Sequence, residues 1–330
     1  MRDFDLSRLL DSLPHCHVAV IGDLMLDEYL WGHIERISPE APVPILNVVS
    51  RSSTLGGAGN VVENLRSLGV AVTVLGVVGD DETGRQIRDL LRTHGANVAG
   101  VITDTQRKST RKARLMSLEH GQQVFRLDEE STSPLEITLA ENMIGIIRGL
   151  KAGIQTIVCS DYLKGVLSEG VLAEAFSSAQ RLGIRSIVAP KDTHPRKYQG
   201  ANILMPNARE LMQLSGQKSA AESSLDHRAR HLVEKLSLNG LVVTRGGEGM
   251  SLFEKSETGL RRVDIPTTAR SVYDVTGAGD TAIAAFAAAV ASGSALETAA
   301  RFANITAGIK VGKRGTASVS ADEIRAAQKI

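Results

Sequence analysis

The scarcities of this sequence are informative. Only two cysteines, Cys16 and Cys159, occur in 330 residues, in unrelated contexts. That leaves no disulfide framework and no paired metal-ligand spacing, and it favours a reducing, cytoplasmic setting. An excess of one charge is missing too. Lys and Arg number 38 against 37 Asp and Glu, a net +1, so neither nucleic acid nor an anionic membrane is expected as the main partner, and any basic site must be local. Aromatics are 3% of the chain, too few for a stacking surface on single strands. The longest apolar run, 282–290, is about half the length of a bilayer-spanning helix and mostly alanine. The first residues carry charges through their apolar positions, unlike a signal peptide. The eight histidines include no H-E-x-x-H motif, and the one H-x-x-x-H spacing, His227 and His231, lacks its glutamate, which argues against catalytic zinc. No Walker A motif exists. The nearest run, from Gly308 to Gly312 and Lys313, is one residue short and continues with Arg314, which excludes a P-loop kinase.

What remains has ordinary globular proportions, 42% hydrophobic and 23% charged, in a length that suits one large core or a core with a small appendage. The 31 glycines suit many strand-to-helix turns. Short β-branched runs at 17–21, 72–78, 154–160, 186–188, 203–205 and 241–244 read as buried strands. Stretches at 83–91, 169–182, 208–214, 227–236, 279–291 and 295–311 have helical spacing, with Gly95 and Gly183 as stop signals. Alternation of the two predicts an α/β fold, three layers around a mostly parallel sheet, with ligands at the carboxyl ends of the strands. Two segments break the rhythm. Residues 28–51 are Pro-rich and alternating, and 109–127 read as an antiparallel hairpin around His120 and Gly121. Together they predict a small β lid on a single domain spanning residues 1–330.

The richest chemical signal is Asp274-Val275-Thr276-Gly277-Ala278-Gly279-Asp280, followed at once by the alanine-rich helix. Gly277, Ala278 and Gly279 leave little bulk over the first turn, so their N–H groups can converge on an anion at the positive end of the helix dipole. A carboxylate beside such a nest repels a merely stored anion and makes sense as a base, which points to Asp280. A favourable first-turn charge is the competing reading. Upstream, Gly56, Gly57, Ala58, Gly59 and Asn60 allow close backbone approach to a ligand, and Asn60 offers donor and acceptor to hydroxyls. A dinucleotide-binding turn would need a third Gly in G-x-G-x-x-G that is absent, which counts against a dehydrogenase. Asp23 and Asp27 follow the first predicted strand, where a carboxylate can take two sugar hydroxyls.

These two glycine-rich segments, in this order, resemble the C-terminal and N-terminal signatures of the ribokinase-like (pfkB) carbohydrate kinases. The resemblance implies Asp280 as catalytic base, Gly277, Ala278 and Gly279 as anion hole, and Gly56, Gly57 and Asn60 as sugar pocket. Further segments narrow it: Gly22 to Tyr29, Arg36-Ile37-Ser38-Pro39-Glu40-Ala41-Pro42-Val43-Pro44, Asp161-Tyr162-Leu163-Lys164-Gly165 and Tyr273 to Gly277. Over residues 6–320 the chain is similar to the D-glycero-β-D-manno-heptose 7-phosphate kinases within that family, which act in lipopolysaccharide core (ADP-heptose) synthesis. Several of those carry a C-terminal adenylyltransferase domain. No H-x-G-H motif occurs here, so the kinase-only form is expected.

The resemblance implies ATP as phosphoryl donor and Mg²⁺ organised through water by Glu210, in a segment where Met205 replaces the family's first Asn and Asn207 remains. Ala189 stands where close relatives carry Asp, so that acidic role is absent or passes to Asp192. Thr244, Gly246, Gly247 and Gly249 resemble the nucleotide segment, with Asn207, and Ala303, Asn304 and Ala307 border the adenine site. Whether a monovalent cation such as K⁺ binds near Asp274 and Thr276 stays open. A phosphorylated sugar also needs cations, because phosphate is costly to desolvate without charge-assisted hydrogen bonds. Arg111, Arg114 and Arg126 on the lid, with Lys164 and Lys191 after two strands, are the candidates. Another sugar kinase of the family, or a catalytically silent sugar-phosphate-binding regulator on the same fold, is the alternative. Exposed lid edges further predict a homodimer formed through the lid.

Overall fold

The structure, a computed structural model, describes residues 5–119, 121–216, 224–257, 259–269 and 271–328. Thirteen strands are numbered in chain order: β1 (His17–Gly22), β2 (Leu24–Ile37), β3 (Pro44–Gly57), β4 (Ala71–Gly79), β5 (Asn97–Asp104), β6 (Thr110–Ser117), β7 (Gln123–Glu129), β8 (Thr156–Ser160), β9 (Arg185–Ala189), β10 (Ile203–Leu204), β11 (Gly240–Thr244), β12 (Met250–Ser256) and β13 (Gly259–Ile265). Among the described residues the α-helices are α1 (Leu6–Ser12), α2 (Ala58–Ser67), α3 (Glu82–Thr93), α4 (Ile137–Arg148), α5 (Glu169–Leu182), α6 (Ala208–Ser215), α7 (Leu225–Leu236), α8 (Ala278–Ala291), α9 (Leu296–Lys310) and α10 (Ala321–Gln328).

Nine strands form one sheet in the order β13-β12-β11-β10-β9-β8-β1-β4-β5, parallel from β11 to β5. Its central strands are apolar on both faces because both are covered. Along β1, Val18 and Val20 join the core under α1, α2, α3, α8, α9 and α10, while Ala19 and Ile21 join the core under α4, α5, α6 and α7. That is the expected three-layer α/β architecture. The chain runs outward from β1 through β4 to β5 and later returns to β1's other side as β8. Strand order therefore reverses between β1 and β8, where a doubly wound sheet opens a ligand crevice beyond its carboxyl ends. The antiparallel pair β12 and β13, the edge strand β5, and helices α1, α4 and α10 extend the sheet and its layers beyond the expected elements. No helix among the described residues is long and apolar enough to cross a membrane.

The lid is a second sheet in the order β3-β2-β6-β7. Its first pair is longer than the expected short Pro-rich pair, with 14 residues in each strand. β6 adds parallel to β2 and then pairs antiparallel with β7. The expected hairpin at 109–127 is thus present, although His120 lies outside the described residues. Buried Leu24, Met25 and Leu26 root the sheet in the core, while every residue of β7 is exposed.

Candidate active site

The crevice starts where β1 ends. A side chain at Gly22 would meet the Ser160 carbonyl at 2.3 Å, so Gly lets β1 and β8 close together at their tips. Asp23 follows, only 1% exposed. Its carboxylate accepts the N–H groups of Tyr162, Lys164 and Val166 at 2.8, 3.1 and 3.2 Å. The expectation that Asp23 holds sugar hydroxyls is therefore corrected: its acceptor sites fold the 161–166 loop. Asp161 braces the same loop, accepting from Leu163 N at 3.0 Å, Lys197 Nζ at 2.6 Å and Tyr198 OH at 2.7 Å. This bracing aims Tyr162.

Tyr162 donates its hydroxyl to Asp280 Oδ1 at 2.7 Å, and Asn60 Nδ2 donates to Oδ2 at 2.7 Å. Asn60 Oδ1 accepts from Asn64 Nδ2 at 3.0 Å, and Thr281 Oγ1 donates to Asn64 Oδ1 at 2.8 Å. The base thus sits in a satisfied buried polar network, which keeps its orientation unique. Burial pushes the Asp280 carboxyl up to about 6; the Tyr162 and Asn60 hydrogen bonds and the Lys191 charge oppose that rise, and the Asp27 charge adds to it. A carboxylate with that affinity is ionised at neutral pH yet takes a proton readily, as a general base must. Asn60, expected on the sugar, is directed to the base instead. Tyr162 belongs to the Asp161–Gly165 segment, and its residue type alone gives it no role.

Gly277 opens α8 with a left-handed φ of 76°, and a Cβ there would meet Asn60 Nδ2 at 2.8 Å, so both conformation and space demand glycine. The N–H of Ala278 donates to Val275 O at 3.1 Å and closes this turn, which corrects the expectation that it faces an anion. No partner for the N–H of Gly277 or Gly279 is found among the described residues.

Two cavities meet here. One, about 100 Å³, holds Tyr162, Lys191, Asn207, Glu210, Thr244 and Asp280 around Gly279. The other, about 230 Å³, is lined by Gly246, Gly247, Gly249, Asn304 and Ala307, with exposed Val272 and Val275 as apolar wall. Thr244 and Gly279 line both. Asn207, expected on the nucleotide, lines only the Asp280 cavity and caps α6 reciprocally with Glu210. Ala303 is fully buried in the core and lines neither cavity, so its place at the adenine border is corrected: it faces away from the cleft that Asn304 and Ala307 reach. Ala189 lines the Asp280 cavity, whereas Asp192 is absent from it and is engaged by His194 and Lys197.

The expected cations are mostly spoken for. Arg111 pairs with Glu28 and with Glu129, Arg126 with Asp128 at 2.8 Å, Lys164 with Glu130 at 2.8 Å, and Lys191 with Glu210 at 2.6 Å. Arg114 reaches Asp27 at 2.7 Å across the lid. A side chain at Gly56 would meet Asp27 Oδ2 at 2.8 Å, and Gly57, at φ 55°, would carry one 2.6 Å from Asp23 O. Gly56 leaves room for the Asp27 carboxylate and Gly57 for the Asp23 main-chain carbonyl, rather than only for a ligand. Asp274 accepts the N–H of Thr276 at 2.9 Å and of Gly315 at 2.8 Å. Among the described residues no cluster of His, Cys, Asp and Glu could hold a metal by itself.

A family model for pfkB family carbohydrate kinases matches residues 16–323. Two curated relatives, each called bifunctional protein HldE, are 45% identical: that of Geotalea uraniireducens (strain Rf4) over 97% of this chain, and that of Pelobacter propionicus (strain DSM 2379 / NBRC 103807 / OttBd1) over 96%. The chain spans 64% of the length of each. Among solved structures, the ribokinase of Arabidopsis thaliana complexed with ribose and ATP superposes with a TM-score of 0.72 at 19% identity, covering 96% of this chain and 99% of that one. Phosphofructokinase-2 from Escherichia coli in complex with potassium gives 0.78 at 21%, covering 94% and 97%. At such identities the likeness is one of fold, the ribokinase-like α/β fold.

Proposed function

This chain belongs to the pfkB family of carbohydrate kinases, a family of phosphotransferases acting on sugars, and from that premise we propose that it transfers the γ-phosphoryl group of ATP to the anomeric hydroxyl of D-glycero-β-D-manno-heptose 7-phosphate. The product is the 1,7-bisphosphate, a step toward ADP-heptose for lipopolysaccharide core. The observation that carries the reading is the meeting of two cavities at Gly279 and Thr244, one with an apolar glycine-lined wall and the other holding Asp280. A donor nucleotide and an acceptor sugar placed in them face each other across the start of α8. The relatives named HldE, at 45% identity, support heptose as the sugar.

In this reading Asp280 takes the proton of the acceptor hydroxyl as that oxygen attacks phosphorus and the bond to ADP breaks. The N–H groups of Gly277 and Gly279, at the positive end of α8, hold the developing charge. Lys191 stands beside Asp280 and reaches the Tyr162 ring at 5.7 Å, a cation in the cavity where negative charge passes. Glu210, whose carboxylate also takes Lys191 Nζ and the Asn207 N–H, would hold Mg²⁺ through water, as suits an ion commonly bound by one or two carboxylates plus phosphate oxygens. When bound, that ion supplies charge neutralisation. The lid belongs to the same domain, and its Asp27, paired with Arg114 at 2.7 Å, lies close enough for its charge to act on Asp280.

The test is ATP consumption with heptose 7-phosphate against fructose 6-phosphate and ribose. A kcat/KM for the heptose at least about 100-fold above both is expected. Preference for another sugar would replace the heptose assignment, and no turnover with any would return the chain to a silent regulator.

A further inference from the structure

Lys310 ends α9, where the helix dipole attracts cations and a lysine ordinarily keeps its ammonium in water. Here none of the residue reaches solvent. A buried ammonium needs acceptors and a counter-charge. Its Nζ donates to the carbonyl of Gly315 at 2.7 Å. The N–H of Gly315 donates to Asp274 Oδ2 at 2.8 Å, and Asp274 Oδ1 accepts the N–H of Thr276, next to Gly277. The backbone adds a second tie, since Tyr273 N and Asp274 N both donate to Val311 O, at 2.7 and 3.0 Å. One short path therefore joins the ammonium to the turn that opens α8.

Asp274 and Thr276 are the place at which the resemblance left a monovalent cation open. An alkali cation there would replace its hydration shell with oxygen ligands. The groups present do not fit that demand. Both Asp274 oxygens already accept an N–H, the Gly315 carbonyl already accepts the ammonium, and an added cation at that carbonyl would face a like charge without solvent between them. Burial works against the Asp274 charge, while the Thr276 and Gly315 N–H groups and the Lys310 ammonium hold its carboxyl below the usual range.

We infer that Lys310 is a positioning residue that supplies, from within the chain, the fixed positive charge a bound monovalent cation would bring beside Gly277, so that phosphoryl transfer here proceeds without K⁺. The inference rests on the phosphoryl-transfer reading for its kinetic arm only. Turnover and ligand-free melting temperature are to be measured in tetramethylammonium buffer and with KCl added at constant ionic strength. The wild type should give the same values in both. Lys310→Met keeps much of the stem and removes the charge. It should lose at least about tenfold in kcat without K⁺, recover with K⁺ in a saturable way, and gain a K⁺-dependent rise in melting temperature. Lys310→Arg should stay independent of K⁺. Saturable activation of the wild type by K⁺ overturns the inference, and so does a loss in Lys310→Met that no K⁺ repairs, which would mark a merely structural lysine. Should Lys310→Met not fold, the wild type and Lys310→Arg still decide. If no sugar is turned over, the melting arm reads cation binding alone and separates failure of this inference from failure of the kinase assignment.

Discussion

The hydroxyl of Tyr162 donates to Asp280 Oδ1 at 2.7 Å across 118 residues of sequence. This bond stabilises the ionised base, so removing it raises the carboxyl's proton affinity above its present value of about 6. Tyr162→Phe should therefore move the acidic limb of the kcat/KM profile to higher pH and lower kcat about tenfold at neutral pH. A pH-rate series on both proteins checks this. An unmoved limb would mean that the tyrosine does not tune the base.

Asp280→Asn keeps the shape and removes the base. Turnover should fall at least about 100-fold while ATP still binds. Stability should change in the opposite direction. Because burial raises the folded carboxyl above its unfolded value, the wild type is best off below the ordinary carboxylate range and loses stability as pH rises through about 6. A neutral Asn escapes that loss. The variant should thus gain on the wild type between acidic and neutral pH by at most about 3 kcal/mol, read from urea unfolding at the two pH values.

Much of this was legible in the sequence because the signals were local. Helix α5 begins after Ser168, whose side chain caps Val171 N, and ends at Gly183 with φ 67°, and both boundaries were readable from residue type. Strand β5 was not, since Asn97, Ala99 and Gly100 dilute its β-branched pattern. At the site, Gly277 and Asp280 announced themselves by spacing. Asp23 did not, because a strand-end carboxylate looks the same whether its donors are sugar hydroxyls or the N–H groups of a loop about 140 residues further on. Ala303 and Ala307 are likewise identical in sequence, and only the packing of α9 decides which meets the cleft.

The lid cations separate by burial. Arg114 pairs with Asp27, which is 5% exposed, whereas the Arg126 pair with Asp128 lies in solvent. Arg114→Met leaves a buried carboxylate without its cation and should destabilise the fold by about 1–3 kcal/mol as well as raise the sugar KM. Arg126→Ala should cost under about 1 kcal/mol. If Arg126 reads the distal phosphate, its loss raises KM for the 7-phosphate far more than for the unphosphorylated heptose. Urea titrations and the two KM values separate these outcomes, and equal KM effects on both sugars would remove Arg126 from phosphate recognition.

The lid also bears on assembly. Val43, Val124 and Phe125 are 51%, 42% and 58% exposed, and Leu127 is 48% exposed on a strand whose every residue faces solvent. A four-stranded sheet rooted only at its base, with an open β7 edge, has apolar surface and unpaired strand groups that a second copy could cover. We propose a homodimer through the lids, so that each lid grips its twin while closing over its own sugar end. Val124→Asp or Phe125→Asp should then weaken association and raise the sugar KM together, because lid order depends on the partner. Neither residue touches the Asp280 cavity, so kcat at saturating sugar should change less than KM. Sedimentation at micromolar concentration reads the first effect and steady-state kinetics the second. A wild type that sediments as a monomer with nucleotide and sugar phosphate present defeats the proposal. Variants that dissociate yet keep their KM would leave the dimer standing and break its link to lid closure.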